Sequence, residues 1–250
     1  MCTVSWLRGK DGYVLLCNRD ERHTRKPASG PRLDSLRGVS FIAPVDGDHY
    51  GSWIGVNQFG LTLCLLNSYG VTNQNAHRVY TSRGLLLKQL LDCQNSQQAI
   101  ERVSDIKLDP FQAFTMSVLS VDKPAVLVEW TGRECSIDQD GETQMPLTSS
   151  SLKDPNVVEL RRKLFGDMVA QRGEVDAGLL HRFHSSHLPE RGPASVCMHR
   201  HDASTVSLSV VTVTPQTVEF SYHSNSPCLP APANKVLIER AAISLQAAAS

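Results

Sequence analysis

What the 250-residue sequence lacks narrows the field first. It has no excess of either charge: Lys plus Arg number 25, Asp plus Glu number 25, and the formal net charge is zero. A nucleic-acid-binding domain is expected to be basic, so no DNA or RNA partner is indicated. No apolar run reaches the ~18 residues that a membrane helix needs, and no membrane span is expected. The longest runs, around 60–66 and 205–213, are strand-sized. The start, MCTVSWLRGKDG, lacks the basic-then-apolar pattern of a secretory signal, which points to a cytoplasmic protein. Neither a Walker phosphate loop nor GxGxxG occurs, and Asp105, Asp109, Asp138 and Asp140 lack calcium-loop spacing. The seven cysteines, at 2, 17, 64, 93, 135, 197 and 228, are odd in number and contain no CxxC pair. A reducing compartment without a disulfide framework is the expectation. Cys17, Cys64, Cys93 and Cys197 stand among apolar neighbours and read as small buried hydrophobes.

What is present is a hydrophobic fraction of 41% in a chain long enough to bury a sizeable core. Thr3–Leu7 and Tyr13–Cys17 read as strands around a Gly9–Gly12 connection. The strands 39–43, 53–56 and 61–66 follow, the last two joined through Gly60 in a left-handed turn position, while Gly30–Pro31 reads as a loop. The period then changes. Residues 82–92, capped by Thr81 or Ser82, and 96–103, with Ala99, Ile100 and Val103 inward, are spaced as helices. Strands return over 113–121 and 125–130. Pro155 opens a helix over 156–170, and Asp176 caps another over 177–187. Strands over 195–199, 205–213 and 218–222 precede a proline-rich loop at 226–233. The Ala-rich segment 235–249 reads as a helix capped by Asn234. Hairpin-joined strands and helices in consecutive pairs argue for antiparallel sheets, not alternating βαβ units. The expected fold class is α+β, a single domain over residues 1–250 built as a four-layer αββα sandwich.

Cys2 carries the chemistry of interest. Removal of Met1 is sterically easy before a small residue and leaves a thiol and a free α-amine on one residue. The thiol is a strong nucleophile once ionised, and an α-amine titrates near ~7.7–8.0, so nucleophile and base are held together covalently. The bland alternative is a small residue at a chain end. Pairing of the first two strands returns Asn18-Arg19-Asp20-Glu21 close to residue 2. Arg19 can stabilise a thiolate and Asp20 can accept from an ammonium.

The start MC, a strand, a turn, a second strand and then NRDE resembles the NRDE family, also called the transport and Golgi organisation 2 family. The resemblance continues in Arg22–Pro27 (RHTRKP), Gly51–Val56 (GSWIGV), Gly60–Asn67 (GLTLCLLN) and Ser195–Ser207 (SVCMHRHDASTVS). It implies a fold similar to N-terminal-nucleophile (Ntn) hydrolases, whose choloylglycine-hydrolase relatives cleave linear amides with an N-terminal Cys. Carried over, Cys2 matches the nucleophile, and Arg19 and Asp20 the charged pair. Adjacent strand residues point to opposite faces, so Arg19 and Asp20 both face Cys2 only if the chain turns there; otherwise one is structural. Asn67, ending a strand near the same edge, is the candidate oxyanion donor, with an ordinary turn Asn as its alternative. Asn18, Arg22 and Trp53 are the candidate substrate-binding residues.

Five of the nine histidines lie between 181 and 201. In a continuous strand Cys197, His199 and His201 would share one face and offer metal ligands, with His181 and His184 adding one from a helix. Asp202-Ala203 reads as a turn that takes His201 off that strand, and no metal and no cofactor are expected. His199 is instead a candidate catalytic residue beside Cys2. Arg161-Arg162-Lys163 reads as a solvated helix face. The resemblance implies an amide hydrolase with a small acylated molecule as its partner. Alternatively, the protein carries a hydrophobic ligand such as haem or an acyl lipid, because family members are linked to secretory organisation and to haem or lipid handling.

Overall fold

The computed structural model describes residues 2–69, 78–151 and 156–243. Met1, Pro155 as helix opener and the segment beyond 243 lie outside the described residues. The chain begins with β1 (Cys2–Arg8), β2 (Tyr13–Arg22), β3 (Ser29–Leu36), β4 (Val39–Val45), β5 (Ile54–Asn57) and β6 (Thr62–Asn67). Two helices follow, α1 (Arg83–Gln89) and α2 (Ser96–Asp105). Next come β7 (Phe114–Leu119), β8 (Val126–Trp130), β9 (Cys135–Asp138) and β10 (Leu147–Ser149). A second helix pair, α3 (Asn156–Arg172) and α4 (Ala177–His184), leads into β11 (Ala203–Val213), β12 (Thr217–His223) and β13 (Ala233–Glu239).

These strands form two antiparallel sheets. The six-stranded sheet runs β10-β1-β2-β11-β12-β13 and the seven-stranded sheet β3-β4-β5-β6-β7-β8-β9. Three apolar layers separate the four structural ones. Between the sheets, Val4, Trp6, Leu15 and Cys17 meet Ile42, Ile54, Val56 and Cys64. Leu16, Leu208 and Val210, on the other face of the first sheet, pack against Phe165, Leu179, Leu180 and Phe183 of α3 and α4. Leu63, Leu65 and Phe114 of the second sheet pack against α1 and α2. Alternate residues of the central strands are therefore buried on both faces, which is the αββα sandwich the alternation of strand and helix pairs implied.

Several local readings hold. Gly60 has φ +75°, and its turn is closed by Asn57, whose Oδ1 accepts from the Phe59 and Leu61 N–H groups at 3.0 and 3.1 Å. A side chain at Gly60 would meet Val213 at 2.7 Å. Asp176 caps α4 through its side chain as expected, and Asn95, which the sequence reading did not single out, does the same for α2. Others need correction. Residues 233–239 form a strand, not the start of a helix, and Asn234 pairs with Tyr222 rather than capping. Val236 and Ile238 pack inward while Lys235, Leu237 and Glu239 face out, a period of two hidden by the Ala-rich tail. Residues 29–36 form an edge strand; Pro31 sits where its register slips, a position that needs no ladder donor. Residues 195–199 form no strand, because Ser195 Oγ turns back onto the carbonyls of Gly192 and Cys197 at 2.8 and 2.7 Å. No helix among the described residues is long and apolar enough to cross a membrane.

His184 is fully buried where α4 meets β1, with Nε2 2.9 Å from Ser5 Oγ. Burial pulls its pKa down to about 3, with His181 and Arg161 adding repulsion. The folded protein thus holds a neutral imidazole that the unfolded chain protonates below ~6.5. Stability is expected to fall by up to about 1.4 kcal/mol per pH unit as pH drops from ~6.5 towards 3. Urea titrations at pH 7, 6 and 5 should show this slope, and His184→Gln should flatten it.

Candidate active site

The β1–β2 ladder pairs Cys2 with Arg19, Val4 with Cys17 and Trp6 with Leu15. Cross-strand partners share a face, so Cys2 and Arg19 both look into the inter-sheet layer. Only 7% of Cys2 is exposed, yet it forms part of the wall of a cleft of about 390 Å³. Its thiol neighbours Cys17, whose sulfur lies 3.5 Å from that of Cys64. The hydrogen bond with Cys17 and burial push the Cys2 thiol well above its ordinary range. A thiol in this setting needs a base to become a nucleophile. Its backbone N–H donates to Ser149 Oγ of β10 at 3.2 Å.

Arg19 is held on three sides. It donates to Asp46 Oδ2 at 2.5 Å, lies 3.4 Å from Glu21 and stacks over the Trp53 ring at 4.3 Å. Asp46 also accepts from Arg25 at 2.9 and 3.0 Å and from the His49 N–H at 2.9 Å. Burial alone would raise the Asp46 carboxyl; the Arg25 hydrogen bonds, the His49 N–H and the nearby positive charges hold it below the usual carboxylate range. Trp53 is nearly buried, and its Nε1–H has no acceptor among the described residues.

β2 runs unbroken to Arg22, and the extra residue where its pairing with β11 shifts lies in β11 between Thr205 and Ser207, so Asp20 takes the opposite face to Arg19. It is nonetheless at the cleft border. Asp20 Oδ1 accepts from Thr205 Oγ1 at 2.6 Å, and Oδ2 lies 3.7 Å from Arg161. Arg161, read from the sequence as solvated, is 1% exposed. Its guanidinium donates to Thr3 Oγ1, Thr148 Oγ1 and the carbonyls of Ala194 and Ser195, at 2.6–3.2 Å. Val157, Arg161 and Phe165 are the buried residues of α3, one every four, a helical face that a charged centre conceals from a hydrophobicity reading.

Asn67 ends β6 on the cleft and donates to Tyr69 Oη at 3.1 Å. A second cavity of about 450 Å³ shares Asn67 with the cleft and extends past Tyr69, Leu127 and Leu147. Arg83, at the start of α1, lines the cleft; it donates to the Ala113 carbonyl at 2.8 Å and has no ion-pair partner among the described residues. The sequence offered no signal for Asp46, Arg83 or Ser149, which come from other elements.

Three candidates fall elsewhere. Asn18 is fully buried on the helix-covered face, donating to the carbonyls of His184 and Val196 at 2.9 and 3.1 Å. It ties α4 to β2 and does not line the cleft. Arg22 is exposed beyond the cleft lining, where Arg25 stands instead. His199 is also outside the cleft lining. Residues 195–199 leave the sheet, and His199 points into a group with His187, Cys197 and Cys228.

The family model described as Transport and Golgi organisation 2 matches residues 1–225. No match was found among curated proteins. Among solved structures, a cysteine-to-alanine mutant of the conjugated bile acid hydrolase from Clostridium perfringens aligns at 11% identity. The alignment has a TM-score of 0.58 and covers 94% of this chain and 92% of that one. Penicillin V acylase from Agrobacterium tumefaciens aligns at 11% identity and TM-score 0.55, covering 96% and 86%. A Caenorhabditis elegans ortholog of N-acylethanolamine-hydrolyzing acid amidase aligns at 12% and 0.56, covering 92% and 94%. The fold is that of the Ntn hydrolases.

Arg161 is the charge whose loss should be felt most. Arg161→Ala removes a buried guanidinium 3.7 Å from the Asp20 carboxylate together with its four hydrogen bonds and is expected to cost about 3–5 kcal/mol, read as a fall in the urea midpoint. Arg162→Ala, one residue along on the exposed side, should change stability by less than about 0.5 kcal/mol.

Proposed function

The chain belongs to the Transport and Golgi organisation 2 family, and from that premise we propose that it hydrolyses a linear carbon–nitrogen amide bond in a small acylated molecule, with Cys2 as the N-terminal nucleophile. The observation that carries this reading is the place of Cys2: first residue of a central strand, opposite Arg19, on the wall of a cleft. That the three similar structures are named for amide-cleaving enzymes adds to it.

In this mechanism Met1 is removed and the Cys2 nitrogen becomes a free amine. The amine takes the thiol proton and the sulfur attacks the substrate carbonyl. The Asn67 amide and a backbone N–H stabilise the oxyanion. The amine proton passes to the departing nitrogen, leaving an acyl-thioester on Cys2. Water, deprotonated by the same amine, then releases the carboxylic acid and restores the thiol. Ser149 Oγ, 3.2 Å from the Cys2 nitrogen, orients the amine. Arg19 is a positioning residue: pinned by Asp46 and Trp53, it keeps positive charge beside the sulfur. Asp20 supports the strand end and the ammonium.

Asn67 stands where the cleft meets the second cavity, so a carbonyl held there sends its two substituents into different spaces. Arg83, half-buried and without a carboxylate partner among the described residues, suits an anionic group on the cleft side. The Trp53 Nε1–H offers a further donor. The cleft lining is mostly charged and polar, and His199 is not part of it, which disfavours the carrier reading with a haem or acyl-chain ligand.

A C-terminally tagged protein is expected to show intact mass without Met1, and a thiol electrophile should label Cys2 ahead of the other cysteines. Against a panel of N-acyl amides bearing an anionic group, Cys2→Ala should lose on the order of 10³-fold or more in kcat/KM with unchanged circular dichroism. An uncleavable N-terminal extension should do the same. An active protein that retains Met1 would sink the mechanism.

A further inference from the structure

Two histidines and two cysteines that the hydrolase mechanism leaves unused converge on one spot. α4 ends at His184, and residues 185–202 reach β11 without a helix or strand, apart from the single bridge of His199 to Ser204. The loop between β12 and β13 passes alongside. His187, Cys197 and His199 come from the first segment and Cys228 from the second, and their donor atoms all lie within 4.8 Å of one another. His199 Nε2 is the hub, 3.2 Å from His187 Nε2 and 3.5 Å from each of the Cys197 and Cys228 sulfurs.

We propose that His187, Cys197, His199 and Cys228 form a structural site for one zinc ion. Zinc prefers four nitrogen and sulfur ligands in a tetrahedron, at about 2.0–2.1 Å for Zn–N and about 2.3 Å for Zn–S. Those arms place nitrogen about 3.3 Å from nitrogen and about 3.6 Å from sulfur. The 3.2 and 3.5 Å separations at His199 match both. The donor set contains no oxygen, which suits zinc and excludes magnesium or calcium. His201, 95% exposed and turned towards Asp202, takes no part.

The backbone around the four residues is already fixed. The Cys197 N–H donates to the Ser186 carbonyl at 3.0 Å and the His199 N–H to the Gly192 carbonyl at 3.1 Å. Ser226 Oγ, beside the Cys228 turn, donates to the Thr205 carbonyl at 2.6 Å. Apolar cover is limited: Val196 packs into the layer under α3 and α4, and Met198 and Ala203 make a two-residue cluster. A long irregular segment with so little hydrophobic packing is where a metal cross-link contributes most. Arg191 lies 3.4 Å from His199 Nδ1. With the metal on Nε2 that nitrogen holds its proton, so the exposed guanidinium swings away on loading. The loop also backs the strand end of the active site. The Met198 N–H donates to Thr205 Oγ1 at 2.8 Å, which donates in turn to Asp20 at 2.6 Å. The site is independent of whether Cys2 is catalytic.

Untagged protein purified without chelator is expected to carry about one zinc per chain by elemental analysis. Cobalt(II) exchange should give tetrahedral d–d bands and a thiolate-to-cobalt charge-transfer band. Cys228→Ser and His187→Ala should lower zinc content at least tenfold, and His201→Ala should keep it. The cobalt spectrum is read on the unmodified chain, so it decides even if a variant fails to fold. No stoichiometric uptake, a cobalt spectrum without thiolate charge transfer, full zinc content in Cys228→Ser, or a Cys197–Cys228 disulfide under reducing purification would each overturn the assignment.

Discussion

A one-residue slip of β1 against β2 would turn Cys2 from the inter-sheet layer to the face covered by α3 and α4, because side chains alternate along a strand. The register that prevents this is set by burial on both sides. Val4 and Trp6 must reach the layer that Leu15, Cys17 and the second sheet build, while Thr3 and Ser5 must reach the polar groups of Arg161 and His184 on the other face. Neither set tolerates exchange. The thiol at the cleft wall, its partner Arg19 and the opposite placement of Asp20 all follow from that one ladder.

Charges buried around the strand end are each matched. Arg19 meets Asp46, and Arg161 meets Asp20 together with four oxygen acceptors. Desolvating such groups is costly, and pairs of this kind add little net stability over apolar replacements. What they supply is position. Arg161 joins β1, β10 and the segment before β11, and Asp46 holds two arginines over the cleft. The Asn18 amide performs the same service for α4. Groups that a sequence reading takes for surface charge or substrate contacts thus frame the site from behind.

Much of the fold was legible from periodicity. The hairpin of β1 and β2, the left-handed turn at Gly60, the inward face of α2 and the Asp176 cap each rest on local chemistry, and each stands in the structure. The misreadings have a common cause. β13 reads as a helix in the sequence because alanines beyond it mask the alternation of Val236 and Ile238, and only the open edge of β12 makes that alternation count. Residues 195–199 have strand-like composition, yet Ser195 spends its hydroxyl and Cys197 its carbonyl on a local turn. The edge strands β3 and β9 are exposed and have little apolar pattern to read.

At the site the division is sharper. Cys2, Arg19, Asp20, Asn67 and Trp53 could be named from the sequence, because a cysteine after Met1 and a charged strand end are local features. Asp46, Arg83, Ser149 and Arg161 could not, since each comes from a separate element and acquires its part only by where the sheets and helices set it down. The histidine group shows the same limit: His201 alternates with His199 in the sequence, but His187 and Cys228 are the residues that folding brings to it. Periodicity and residue type therefore determined which segments form strands and where the candidate nucleophile Cys2 lies. Long-range packing of two sheets between helices decided which distant charges surround it and which histidines and cysteines gather elsewhere, because those contacts depend on distances that no local stretch of chain encodes.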